Sequence, residues 1–291
     1  MKMFWLPVAV VLLLGLVWSA TCHKPDVNTV SKVKKTIPRY IVNPGTKKGD
    51  FCINPKDGAK MVWIPAGYFL MGSNSANKSV NTNETPQRKV YLDGYWMNKY
   101  EVTVAQYHKF CLETLRPIEK KNTWGYIRGK PSWGWIDNHP IVNVSWQDAT
   151  AYAKWAGGSL PTEAQWEKAA RGTDGREYPW GNQWDASKCN GYTKRTKKTQ
   201  SVGSYPLGAS PYGCMDMAGN VMEWCADWFG QTYYNSAPSR NPTGPSKSGI
   251  GAYRVQRGGS WFITIYYLRC ASRSFDDPDR GEEYYGFRLA R

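Results

Sequence analysis

Histidine is almost missing from this chain. Three occur in 291 residues, His23, His108 and His139, and they fall in a basic N-terminal stretch, a helical pattern and a loop before Pro140. A three-histidine metal centre has no basis in that set. No C-x-x-C pair occurs either, which removes the usual thiolate zinc site. No nucleophile elbow surrounds Ser145 or Ser260, so pairing either with His139 as a hydrolase triad has no local signature behind it. Acid is scarce as well: 23 Asp and Glu face 38 Lys and Arg, a net charge of +15. That balance favours acidic partners such as anionic lipid, lipopolysaccharide or acidic polymers. Nucleic acid is not expected, because no recognition motif accompanies the charge.

Long apolar runs are missing too, except at the start. Phe4 to Ala20 carries no charge, follows Lys2 and leads into Ser19-Ala20-Thr21-Cys22. Residues 1–22 therefore read as an export signal. The run falls short of the roughly 20 residues a membrane-spanning helix usually needs. Three outcomes are compatible with it: lipidation at Cys22, ordinary cleavage, or a retained anchor. Each places the rest of the chain outside the cytoplasm, as a periplasmic or outer-membrane lipoprotein or a secreted protein. Residues 23–58 are poor in large apolar side chains and rich in lysine. They read as a basic tether beside the membrane, unable to bury enough surface to fold alone.

Residues 59–291 suit one domain. The chain has 15 tryptophans, and all but Trp5 and Trp18 lie in this part. Aromatic mass on that scale fills a core that regular secondary structure does not organise. Glycine and proline are spread throughout, which predicts short elements joined by long ordered loops. Three helices stand out by their caps. Thr103 opens one through Tyr107 and Phe110 toward Leu115, with Pro117 beyond. Ser145-x-x-Asp148 opens a second that closes at Gly157-Gly158, and Thr162-x-x-Gln165 opens a third that closes at Gly172. No chemistry is assigned to them.

The most informative stretch is Tyr212 to Asp227. Its core, Asp216-x-x-Gly219-Asn220-Val221-x-Glu223, sets two carboxylates around residues that tolerate φ > 0. An acidic turn before an aromatic strand accounts for the spacing. So does a loop that wraps a hard cation, with Asp216 and Glu223 giving carboxylate oxygens and Gly219 and Val221 giving carbonyls.

Tyr212-Gly213 with Met215-Asp216-Met217-x-Gly219-Asn220-Val221-x-Glu223-Trp224 resembles the signature of the sulfatase-modifying-factor family, whose best-known members are formylglycine-generating enzymes. The likeness continues along about residues 59 to 291. It includes Met61-Val62-Trp63-Ile64-Pro65-Ala66-Gly67, Tyr100-Glu101-Val102-Thr103, His139-Pro140-Ile141-Val142-Asn143-Val144-Ser145-Trp146 and Leu160-Pro161-Thr162-Glu163-Ala164-Gln165-Trp166-Glu167. Arg257-Gly258-Gly259-Ser260-Trp261 and Gly286-Phe287-Arg288 close it. The resemblance implies an irregular, loop-rich α+β domain related to C-type lectins. It also implies structural calcium at the positions of Asp216, Gly219, Val221 and Glu223. A second calcium site near Asn190 is in doubt, since Lys194, Lys197 and Lys198 crowd the place and no acidic partner is evident.

Export makes disulfides the default for Cys52, Cys111, Cys189, Cys214, Cys225 and Cys270, among which fifteen pairings exist. The family pattern puts Cys225 with Cys270 first, then Cys189 with Cys214, leaving Cys52 with Cys111. The resemblance breaks after Ser260-Trp261. There formylglycine-generating enzymes carry two cysteines that bind copper and activate oxygen, and this chain reads Phe262-Ile263-Thr264-Ile265-Tyr266-Tyr267-Leu268-Arg269-Cys270. Copper(I) wants thiolates, which hydroxyls do not replace. The expectation is a non-catalytic, exported domain that binds an envelope protein or a glycan. Two alternatives stand beside it: an enzyme using the same groove for other redox or metal chemistry, and a carbohydrate-binding module with platforms near Gly134-Trp135 or Trp180-Gly181.

Overall fold

A computed structural model describes residues 47–74, 80–121, 127–194, 196–246 and 252–291. The expected export signal, Cys22 and most of the expected tether lie outside these. In chain order the elements are β1 (Phe51–Ile53), β2 (Lys60–Ile64), β3 (Gly67–Met71), β4 (Arg88–Leu92), β5 (Tyr95–Asn98), α1 (Val104–Thr114), β6 (Lys120–Lys121) and β7 (Ile127–Arg128). There follow α2 (Trp146–Trp155), α3 (Glu163–Arg171), β8 (Met222–Trp228), β9 (Arg254–Arg257), β10 (Ser274–Asp276) and β11 (Tyr285–Gly286). Helices and strands are short and the connections long, giving a mixed, loop-rich α+β fold.

The three helices start where their caps predict. Thr103, Ser145 and Thr162 each accept from the backbone N–H three residues on, and Gln106, Asp148 and Gln165 reach back to complete the capping boxes. α1 ends at Leu115 in the left-handed region, φ 55. α3 ends at Gly172, φ 73, where glycine costs nothing.

β2 is central in the sheet β1-β2-β5, β3 and β4 form a hairpin, and the largest sheet runs β10-β9-β8-β11. β11 lies parallel to β8, while β9 is antiparallel to it. β8 divides the interior. By the two-residue period of a strand, Met222 and Trp224 face a core built on α1 and α2, with Tyr107, Phe110, Tyr152 and Phe287. Cys225 faces the other core, with Trp166, Ala169 and Ala170 of α3 and Met71, Val90 and Leu92 of the β3–β4 hairpin. Glu223 sits on that second side too, 0% exposed.

The folded unit starts before residue 59. Phe51–Ile53 pairs with β2, Asn54 Nδ2 donates to the carbonyl of Ala156, and the Tyr152 hydroxyl donates to Asp57. The last eight residues expected to be tether thus belong to the domain, because a strand edge and two buried side-chain bonds hold them.

All six cysteines of the described residues are free thiols in this structure, and the three expected pairings remain expectations for the exported, oxidised chain. Cys189 packs with Ala218 and Leu268, apart from Cys214 in the main core. Cys52 lies half-buried on β1, whereas Cys111 points from α1 into the core built on α1 and α2. Cys225 and Cys270 do share a core. As thiols, Cys270 is pushed by burial up to about 12 and Cys225 well above its usual value.

Candidate functional site

The core of the signature loop turns through Asp216 (φ 58), Gly219 (φ 85) and Asn220 (φ 62), all left-handed. Gly219 is required sterically as well: a Cβ there would meet the carbonyl oxygen of Asn190 at 2.4 Å. Asn220 is the hub. Its Nδ2 donates to Glu101 Oε2 at 2.7 Å, and its Oδ1 accepts from the backbone N–H of Gln200 at 2.8 Å and from Asn190 Nδ2 at 3.2 Å. Its carbonyl accepts from the backbone N–H of Trp261 at 3.0 Å. One asparagine thereby ties four remote segments together.

Of the two expected carboxylate ligands, Glu223 is committed at both oxygens and Asp216 at one. Glu223 Oε1 accepts from Arg288 Nη2 at 2.7 Å, while its Oε2 accepts from Arg288 Nε at 2.7 Å and from the Trp166 indole at 2.9 Å. Asp216 Oδ2 accepts from the backbone N–H of Gly203 at 2.6 Å. Burial raises Asp216 to about 6, against the pull of that bond and of Arg288. A calcium ion needs six to eight free oxygens, and a carboxylate clamped at both oxygens by a buried guanidinium has none to spare. Asp216, Gly219, Val221 and Glu223 as arranged do not fit that ion. No group of three or more acidic, histidine or cysteine side chains among the described residues is arranged to hold a metal. Asn190 is likewise engaged, accepting from the Thr196 hydroxyl and donating to the Lys198 carbonyl.

Around the loop lies a frame of buried ion pairs that the motifs supply and that the sequence alone left unassigned. Arg257 Nη2 meets Glu167 at 2.5 Å, Arg273 Nε meets Glu163 at 2.7 Å, Arg171 Nη1 meets Glu167 at 2.7 Å and Arg269 Nη2 meets Glu84 at 2.7 Å. α3 therefore buries Glu163, Glu167 and Arg171, residue types that enter interiors only when paired. Lys168 is also buried, donating to the carbonyls of Pro65 and Gly67, and desolvation lowers it to about 8. Glu101 was missed as well: burial first, then the charges of Asp216 and Glu223, hold its carboxyl far above the ordinary range. The usable signal was a charged residue inside an otherwise apolar motif, as in Tyr100-Glu101-Val102 or Gly286-Phe287-Arg288.

His139 Nδ1 lies 2.9 Å from the Thr199 hydroxyl and His108 packs edge-on against Trp135. They share no site. Trp135 and Trp180, near the two expected sugar platforms, are partly buried against hydrophobic clusters, and Trp180 stacks on Tyr178. The exposed aromatics lie elsewhere. Gly258 and Gly259, both at positive φ, turn the chain after β9 so that Trp261 and Phe262 emerge beside the signature loop. With Tyr192 and Lys197 they line an open cavity of about 410 Å³. Its floor is braced: Trp261 Nε1 donates to the Glu283 carbonyl, Trp133 meets the Trp261 ring edge-on, and Tyr284 stacks on Phe262.

Mixed short sheets, three capped helices and a glycine-asparagine loop bonded to the Arg257–Trp261 turn define a formylglycine-generating-enzyme-like domain. The chain belongs to the sulfatase-modifying-factor family, whose "Sulfatase-modifying factor enzyme 1-like domain" matches residues 47–291. It is 34% identical over 286 residues to the formylglycine-generating enzyme of Streptomyces coelicolor, a match covering 81% of this chain and 90% of that one. It is 36% identical over 248 residues to the serine/threonine-protein kinase pkn1 of Chlamydia caviae, covering 80% of this chain but spanning 38% of that protein's length. Among solved structures, PvdO from Pseudomonas aeruginosa superposes with a TM-score of 0.72 at 27% identity, covering 85% of this chain and 99% of PvdO.

Proposed function

We propose that this protein is a non-catalytic binding domain of its family, exported and held at the cell envelope by its N-terminal segment. Its ligand, an envelope protein or a glycan, docks at the aromatic cavity of Tyr192, Lys197, Trp261 and Phe262. One observation carries the reading. Where the resemblance calls for reacting cysteines, the segment from Trp261 to Leu268 has no thiol, and its first two side chains line the cavity instead. The next thiol, Cys270, is 0% exposed and stays protonated at neutral pH, so it is neither a soft ligand nor a nucleophile. Among the described lining residues, Tyr192 and Lys197 alone hold ionisable protons. The buried carboxylates nearby are spent on arginines and backbone donors.

The similarity to formylglycine-generating enzymes over nearly their whole length supports a second reading, an enzyme of other chemistry in the same place. Two measurements separate them. Copper-supplemented protein is expected to leave the cysteine of a sulfatase-type peptide unchanged by mass spectrometry. Affinity capture from envelope extracts is expected to recover one consistent ligand with the wild type and none with Phe262→Ala. Aldehyde formation on the peptide, or capture indifferent to the substitution, would sink the proposal.

A further inference from the structure

We infer that the cavity takes an acidic sugar ring, free or within a polymer; this rests on the binding reading above and names its ligand class. The walls are aromatic faces and edges with one cation, Lys197, among them. Tyr192 is 54% exposed and Phe262 is 53% exposed, so both side chains remain partly open to water. A wholly apolar ligand gains most where a pocket encloses it. Half-open rings instead suit a molecule with one carbon-rich face to lay against them and polar edges that stay hydrated, which describes a pyranose.

A peptide held by strand addition needs a strand edge to pair with. Here the described lining residues are Tyr192 on the 3-10 turn Tyr192–Lys194, Lys197, and Trp261 and Phe262 on the turn after β9, and none of the four lies in a strand. The volume, about 410 Å³, fits a small ligand or the end of a chain, whereas a specific protein interface covers roughly 800 Å² on each partner. Charge selects the acid. Lys197 stands in the cavity, and Lys194 and Lys198 flank it on the same loop. Among the described lining residues no carboxylate opposes an anion. The braces on Trp261 and Phe262 hold the stacking surface in place before a ligand arrives, which limits the ordering cost of binding.

Isothermal titration calorimetry on the full chain tests this with a galacturonate tetramer, an oligosialic acid tetramer, galacturonate monomer, neutral maltotetraose and a short acidic peptide. At least one acidic saccharide is expected to bind, at least tenfold more tightly than maltotetraose and more weakly as salt rises. Phe262→Ala and Lys197→Ala are each expected to weaken it at least tenfold. Both positions are exposed, so unchanged melting curves will separate lost binding from lost folding. A monomer that binds as well as the tetramers identifies a free acidic sugar, and tighter tetramers identify a polymer; either supports the inference. Equal affinity for maltotetraose, binding indifferent to both substitutions, or no saccharide binding at all overturns it. If the peptide alone binds and loses affinity in Phe262→Ala, the sugar class falls while the cavity stands as a binding site.

Discussion

Glu223 illustrates how one side chain changes meaning between sequence and structure. In the sequence it is a free carboxylate at the end of an acidic loop; in the fold it is half of a buried pair with Arg288. Removing one member of such a pair strands the other charge, so Glu223→Ala is expected to cost about 3–5 kcal/mol in urea unfolding. The same geometry predicts that the melting temperature is equal in calcium and in chelator, and a calcium-dependent rise would overturn the fit argued above. Asp227 gives a pH signature. Burial, reinforced by Glu163, raises its carboxyl from 3.8 to about 8. The folded state then binds this proton more tightly than the unfolded state between those values. Asp227 therefore contributes stability below about pH 4 that is lost as pH rises toward 8. Asp227→Asn is expected to remove that part of the slope, and unfolding curves at pH 5 and 8 that shift equally would refute it.

At the scale of elements, the helices are governed by local rules and the strands are not. Each helix begins at a capping box legible in the sequence, since cap and partner lie three residues apart. Leu115 breaks the pattern at the other end: it is 93% exposed and left-handed where glycine is usual. Leu115→Gly is expected to raise stability by a few tenths to about 1 kcal/mol, read as a higher urea midpoint at unchanged m-value. The short strands β1 and β11 escaped sequence reading because two or three residues carry no periodicity. Their partners, β2 and β8, lie far enough away in sequence or are reached through loops long enough that nothing local announces them. α3 was read as an aromatic and alanine face, and its buried Glu163, Glu167 and Arg171 went unassigned because their arginine and carbonyl partners come from β9, β10's approach and the β3 turn.

Over the whole molecule, regular structure is sparse and order comes from cross-links between loops. Asn220 joins the Glu101, Asn190, Gln200 and Trp261 segments, and five buried arginines bond at once to carboxylates and to carbonyls of turns. The signature loop thereby acts as a bracket under the cavity. Asn220→Ala is expected to destabilise the fold by about 1–3 kcal/mol, since it leaves Glu101 Oε2 and the Gln200 N–H without the bonds Asn220 makes to them, and to loosen Trp261, seen as a changed near-ultraviolet circular dichroism spectrum. A spectrum and midpoint like the wild type's would show that the bracket is dispensable.

The sequence by itself determined the family, the loop-rich α+β class, the three helices with their caps, and the loss of the cysteine pair after Ser260. These are properties of residue identity and of neighbours a few positions apart. Only the tertiary structure decided that Glu223 belongs to Arg288, how deeply each of the six described thiols is buried, and which of the many aromatic rings face water. Each of those depends on contacts between residues scores of positions apart, and burial, which fixes both charge and reactivity, exists only once the chain has closed on itself.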